Sequence, residues 1–117
     1  ATDFGNLTVG RDFVHGSSSS TRGVMAGGRT PSNSNVIDFI TIASAGNATD
    51  FGDLLAAQGY YAATGNSTRA LWVGNLDISN TIEYVTIATT GNSIDWGDQN
   101  GTTQHSSGAC SDSHGGL

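Results

Sequence analysis

Residues Asn80–Gly97 read NTIEYVTIATTGNSIDWG, and residues Asn35–Gly52 read NVIDFITIASAGNATDFG. The two stretches match position by position, with Asp38 answering Glu83, Phe39 answering Tyr84 and Phe51 answering Trp96. The end of the phrase occurs once more as Ala1-Thr2-Asp3-Phe4-Gly5. Self-similarity at a fixed period is the signature of a repeat architecture, and it decides the fold before any single element does.

The period comes from the aspartates: Asp3 to Asp50 is a step of 47 residues and Asp50 to Asp95 a step of 45. A second landmark keeps the same step, since Ser20-Thr21-Arg22-Gly23-Val24-Met25 returns as Ser67-Thr68-Arg69-Ala70-Leu71-Trp72. A weaker third copy is Asp112-Ser113-His114-Gly115-Gly116-Leu117. The repeats are then 1–47, 48–92 and a partial 93–117, forming one repeat domain or a segment of one. The two-residue difference falls in the loop between Met25 and Val36, which is replaced by a shorter segment around Leu76-Asp77-Ile78. Length variation in loops between repeated strands is ordinary for such chains.

The residues within one period are strand residues. Val36–Ala43 and Thr81–Ala88 are rich in β-branched and aromatic side chains, which favour strands. Ile37, Phe39, Thr41 and Ala43 fall on one face, and Val36, Asp38, Ile40 and Ile42 on the other. Both faces are largely apolar, the pattern of a sheet covered on both sides. Gly46-Asn47 and Gly91-Asn92 suit a tight hairpin with positive φ at its first position. The NATDFGD and NSIDWGD segments should return from it with the aromatic ring tucked inward. Leu54–Ala63 is the best helical candidate, but Gly59 in its middle costs about 1 kcal/mol there. Its counterpart Leu7–Gly16 reads as strand or loop. The helix is rejected.

Four strands fill the first full period: Phe13–Ser17, Arg22–Gly27, Val36–Ala43 and Thr49–Leu54. A four-stranded antiparallel sheet, apolar on both faces and repeated every 45 to 47 residues, is the expectation for a propeller blade. The order of an apolar strand, a strand ending Gly27-Gly28, a variable loop, an Asn-Val/Thr-Ile-Asp/Glu-Phe/Tyr strand and a spaced Trp or Phe resembles the kelch repeat. The resemblance covers essentially the whole chain. Two departures mark it: the diglycine is Gly74-Asn75 in the second repeat, and the tryptophan is phenylalanine at Phe4 and Phe51. The near-verbatim DFGDL and SSSSTRG phrases also resemble kelch-like repeat proteins of marine phage tail fibres and appendages. The fold expected is all-β, about two and a half kelch-like blades, incomplete alone.

Composition narrows the partners. The chain has no lysine, four arginines and a formal net charge of −6, which argues against nucleic acid and against an anionic membrane surface. No apolar stretch approaches the roughly 20 residues of a membrane-spanning helix, so no membrane insertion is expected. The low charged fraction and the Ser/Thr/Asn surface point to an extracellular or virion-surface setting. Four sequons stand at Asn6, Asn47, Asn66 and Asn100, and they matter only in a glycosylating host.

Candidate chemistry is thin, and no enzyme is expected. His15, His105 and His114 share no repeat position and no ligand spacing, so no metal is expected. Cys110 aligns with Ser18, a surface slot without a partnered base. Asp50 and Asp53 around Gly52 fall short of a calcium-loop pattern, and Asp3, Asp50 and Asp95 are expected to accept backbone N–H groups in turns. Asp38 and Glu83 recur once per repeat, which favours a structural bond, for instance to Arg22 or Arg69, over a catalytic pair. Tyr60, Tyr61 and Trp72 are the candidate ligand-binding residues, able to stack on a sugar ring, with inter-blade packing as the plainer role. No cofactor is implied.

Two and a half blades do not close a ring, because the smallest common propellers have four. The partners expected are therefore further repeats of the same chain or copies of the same protein, with surface glycans as a further candidate. The function this implies is a non-enzymatic structural or binding module, such as a tail-fibre or appendage component for assembly or host attachment. A glycan-binding lectin-like propeller is the alternative, and a propeller oxidase or hydrolase ranks behind both for want of a His, Tyr and Cys constellation.

Overall fold

A computed structural model describes residues 1–74, 80–100 and 109–111. The loop around Leu76-Asp77-Ile78, Asn75, His105, His114 and the third copy at 112–117 lie outside the described residues. Those described form no helix and nine strands: β1 His15–Ser18, β2 Arg22–Ala26, β3 Arg29–Thr30, β4 Ser32–Thr41, β5 Thr49–Gln58, β6 Ala62–Gly65, β7 Arg69–Val73, β8 Thr81–Thr86 and β9 Ile94–Asp98. They make two antiparallel four-stranded sheets. The first runs β1-β2-β4-β5, with the two-residue β3 pairing to the start of β4, and the second runs β6-β7-β8-β9. The repeat holds strand by strand.

Register reproduces the repeat as well. Val24 pairs Phe39 and Ala26 pairs Ile37 in the first sheet, as Leu71 pairs Tyr84 and Val73 pairs Ile82 in the second. Even the irregularity recurs, with a shift between Ile37 and Asp38 matched by one between Ile82 and Glu83. Such a bulge bends the strand locally.

The strand bounds depart from the sequence expectation in physical ways. Phe13 has φ 53, which no strand continues through, so β1 starts at His15. Gly27 turns to φ 68 and ends β2. β4 begins four residues earlier than Val36 because β3 pairs with its first residues. β5 runs on through the rejected helix to Gln58. The tight Gly-Asn hairpin is a misreading: β4 ends at Thr41 and β5 starts at Thr49. The chain instead turns at Thr41–Ser44, where the Ser44 N–H reaches the Thr41 carbonyl at 3.3 Å. Gly46 does not take positive φ, whereas Gly91 does at 158°, and both Gly-Asn pairs are left to bond elsewhere.

The core lies between the two sheets. Val24, Ala26 and Ile37 on the first, with Ala70 and Trp72 on the second, are fully buried. Trp72 crosses from one sheet to the other by donating its Nε1–H to the His15 carbonyl at 3.1 Å. β1 and β6 run closely enough there that a Cβ on Gly65 would collide with the Ser17 hydroxyl.

Candidate assembly interface

The two sheets are joined by a seam, and the same seam is built a second time from residues 1–8. Between the sheets, the Gly91 N–H donates to the Phe51 carbonyl at 2.8 Å and the Ser93 N–H to the Asp53 carbonyl at 2.9 Å. The Asp53 N–H donates to Asn92 Oδ1 at 3.0 Å, and the Leu55 N–H to Glu83 Oε2 at 2.8 Å. One repeat earlier, Gly46 N–H donates to the Phe4 carbonyl at 2.7 Å and Ala48 N–H to the Asn6 carbonyl at 2.8 Å. The Asn6 N–H donates to Asn47 Oδ1 at 3.0 Å, and the Thr8 N–H to Asp38 Oδ2 at 3.2 Å. Each of the four bonds has its counterpart. The Gly-Asn pair is thus the receptor for the outer strand of the preceding unit, and residues 4–8 stand in the place of that strand.

The glycine of the Asp-aromatic-Gly phrase is required at this seam. Gly5, Gly52 and Gly97 share φ of 146, 149 and 148°, a region L side chains rarely adopt. A Cβ on Gly5 would strike the Gly46 carbonyl, and one on Gly52 the Gly91 carbonyl, whereas a Cβ on Gly97 meets nothing within 4 Å. Gly97 has the conformation of the seam without its other half.

A cation stacks behind each phrase. The Arg22 guanidinium lies 4.6 Å from the Phe39 ring centroid, and Arg69 lies 4.8 Å from Tyr84 and 5.1 Å from Trp96. Arg22 also crosses the seam, donating to the Ile87 and Ala88 carbonyls at 3.0 Å each. The expected bond from Arg22 to Asp38, or from Arg69 to Glu83, is therefore corrected. Parity is the reason: Arg22 shares a face with Val24 and Phe39, whereas Asp38 pairs with Met25 on the opposite face.

The carboxylates are structural but otherwise partnered. Asp38 forms a buried ion pair with Arg11 at 2.7 Å, both side chains being 0% exposed, and accepts the Thr8 hydroxyl. Arg11 also donates to the Gly27 and Val36 carbonyls. Glu83 has hydroxyls instead, accepting from Tyr61 at 2.9 Å and from Ser93. Burial, then the charge of Glu83 and its hydrogen bond, push the Tyr61 phenol well above its ordinary range. The neutral phenol is favoured by the fold, so its contribution is present below about pH 10 and lost as pH rises and the unfolded chain ionises. Alkaline titration of stability by circular dichroism should accordingly show a drop above about pH 10 that is smaller in Tyr61→Phe.

The three aromatic candidates part company. Trp72 is fully buried and Tyr61 is 4% exposed, so neither presents a ring face to solvent. Tyr60 is half-buried at the surface, with its ring 4.9 Å from that of Phe13 and its hydroxyl 3.3 Å from Arg29 Nη1. Cys110 is an exposed free thiol. Asp3 and Asp95 accept the N–H of Gly5 and Gly97 at 3.0 and 2.8 Å, but the expected turn is not there, since Asp95 lies within β9 and Asp50 within β5. Among the described residues no His, Cys, Asp and Glu group could hold a metal. Two sequon asparagines serve the backbone: Asn47 in the seam, and Asn66 accepting from the Thr68 and Arg69 amides. The residues that side-chain reasoning missed are Thr8, Arg11 and Leu55. Leu55 works through its main-chain N–H, and Thr8 through its N–H as well as its hydroxyl; side-chain identity does not reveal the main-chain bonds.

No family model matches the chain, and no curated protein matches it.

Proposed function

We propose that this chain is a non-enzymatic structural and binding module built from kelch-like β-propeller blades, and that its working surface is the seam through which one blade adds to the next. The observation that carries this reading is the seam itself, made twice within 100 residues with the same four hydrogen bonds. Two stacked antiparallel four-stranded sheets, with β1 against β6, suit the propeller arrangement. Apolar side chains left on the outer faces support partners that are further repeats or further copies. The resemblance to phage tail-fibre and appendage repeats supports a finer proposal, a component for assembly or host attachment at a virion or extracellular surface.

Light scattering on the purified chain tests the module reading. Mass should rise with concentration in the micromolar range while the β-sheet circular dichroism is retained. A well-folded chain with a cooperative melt that keeps the mass of one copy throughout would overturn it.

The pair of exposed Phe13 and half-buried Tyr60 favours one second reading, glycan binding. Tyr60→Ala should then abolish saturable signal on a glycan array without altering the melt. An unchanged signal, or none with the parent chain, disposes of it.

A further inference from the structure

The two outer faces of the pair of sheets are unequal halves of one interface, and repeat-equivalent residues show what each lacks. Ile87, just past the end of β8, is 1% exposed in the core, while its equivalent Ile42 is 46% exposed. Phe51 on the first sheet is 3% exposed against the second, while its equivalent Trp96 is 53% exposed, with Ile94 beside it at 56%. Arg22 spends two N–H groups on the Ile87 and Ala88 carbonyls; the described residues provide Arg69 with no counterpart of those bonds. One end of the molecule therefore carries the strand-and-arginine half of the seam. The other carries the turn-and-isoleucine half, which residues 4–8 fill only in part, leaving Ile42 bare.

We infer that β9 of one copy docks on the Gly46–Ala48 segment of a second copy, displacing that copy's residues 4–8, so that chains add head to tail. By equivalence with the internal seam, the Trp96 and Asp98 carbonyls accept the Gly46 and Ala48 amides, and the Asp98 N–H reaches Asn47. Trp96 packs toward Ile42, and Arg69 donates to the Ile42 and Ala43 carbonyls. The occupant is a second copy because both halves exist in this chain and complement each other in sequence phase. Residues 4–8 offer the same main-chain groups and the Gly5 contact. Phe4, however, remains 39% exposed where Phe51 is buried. Residues 4–8 are a tethered, weaker competitor, and tethering raises their local concentration. The interface is heterologous, joining unlike surfaces, so it closes into a ring or propagates.

This inference rests on the module reading and specifies its partner. Four full-length forms test it by light scattering over a concentration series: the parent, Gly5→Ala, Gly97→Ala and the double variant. Gly5→Ala drives a Cβ into the Gly46 carbonyl, releases residues 4–8 and should lower the association midpoint by about tenfold or more, roughly the weight of a 1.4 kcal/mol competitor. Gly97→Ala places a Cβ where the second copy's Gly46 carbonyl would sit, and should suppress association in the parent and in the double variant alike. Association should also move Trp96 emission to the blue, since Trp72 is already buried. Adding the synthetic octapeptide of residues 1–8 should dissolve the Gly5→Ala assembly by reoccupying the Gly46–Ala48 segment, which aggregation through unfolding would not allow. Association that ignores Gly97→Ala overturns the inference and leaves the module reading standing, with residues outside β9 or another face as the contact. A Gly5→Ala chain that keeps its β-sheet dichroism and the mass of one copy overturns it too, as does an assembly that the octapeptide leaves intact.

Discussion

Trp72→Ala is expected to cost about 3–5 kcal/mol, the range for removing a large buried aromatic side chain, and to abolish the cooperative fold. Trp72 is 0% exposed between the two sheets, and its indole N–H is the donor that ties β7 to the His15 carbonyl. The truncation therefore opens a cavity and leaves a part-buried carbonyl without this partner. Urea unfolding followed by circular dichroism measures the loss directly. Trp72→Phe, which keeps the ring volume in part and drops only the N–H, should cost clearly less. A Trp72→Ala variant that melts within about 1 kcal/mol of the parent would place the ring outside the core.

The second large effect is expected at Asp38. Removing the carboxylate in Asp38→Ala strands the Arg11 guanidinium at a site where its side chain is 0% exposed. Breaking one partner of a buried pair typically costs about 3–5 kcal/mol because the remaining charge is uncompensated. Replacing both, Arg11→Met with Asp38→Leu, should restore much of that loss, since the desolvation of two charges disappears with the pair. The comparison separates the pair from its setting. If the double variant is as unstable as Asp38→Ala, the Gly27 and Val36 carbonyls that Arg11 caps and the Thr8 bonds to Asp38 carry the stability instead.

The repeat, the strand content and the burial of Trp72 in the slot of Met25 were all legible in the residues. Repetition is a property of the string, and a strand apolar on both faces has to be covered twice. Register was less accessible. The choice of Arg22 as partner for Asp38 joined two residues that project from opposite faces, and only the Met25–Asp38 pairing reveals that parity. Gly46-Asn47 has the composition of a hairpin tip, yet its amide and side-chain oxygen bind an irregular segment some 40 residues away in sequence. Turn chemistry read locally has no access to such a bond. The aromatic set failed to separate for a similar reason. Tyr60 and Tyr61 are neighbours in a strand-like stretch, so one points outward and the other toward Glu83, and which does which depends on where the sheet edge falls. Arg11 was invisible because its counterpart in the next repeat is Gln58, so the repeat pattern did not mark it.

The seam is the claim on which the rest depends, and its two glycines make a matched test. Gly52 and Gly97 share nearly the same φ, 149 and 148°, so alanine at either bears the same backbone strain. They differ in surroundings, because only at Gly52 does the new Cβ meet a carbonyl, that of Gly91. Urea unfolding midpoints of Gly52→Ala and Gly97→Ala, taken at a dilution where the mass is that of one chain, isolate the contribution of the seam. The account predicts that Gly52→Ala is the less stable of the two by about 2 kcal/mol or more, within the range for overpacking. Equal midpoints would contradict it, because the Asp-aromatic-Gly phrase would then be a local turn and not the joint between repeats.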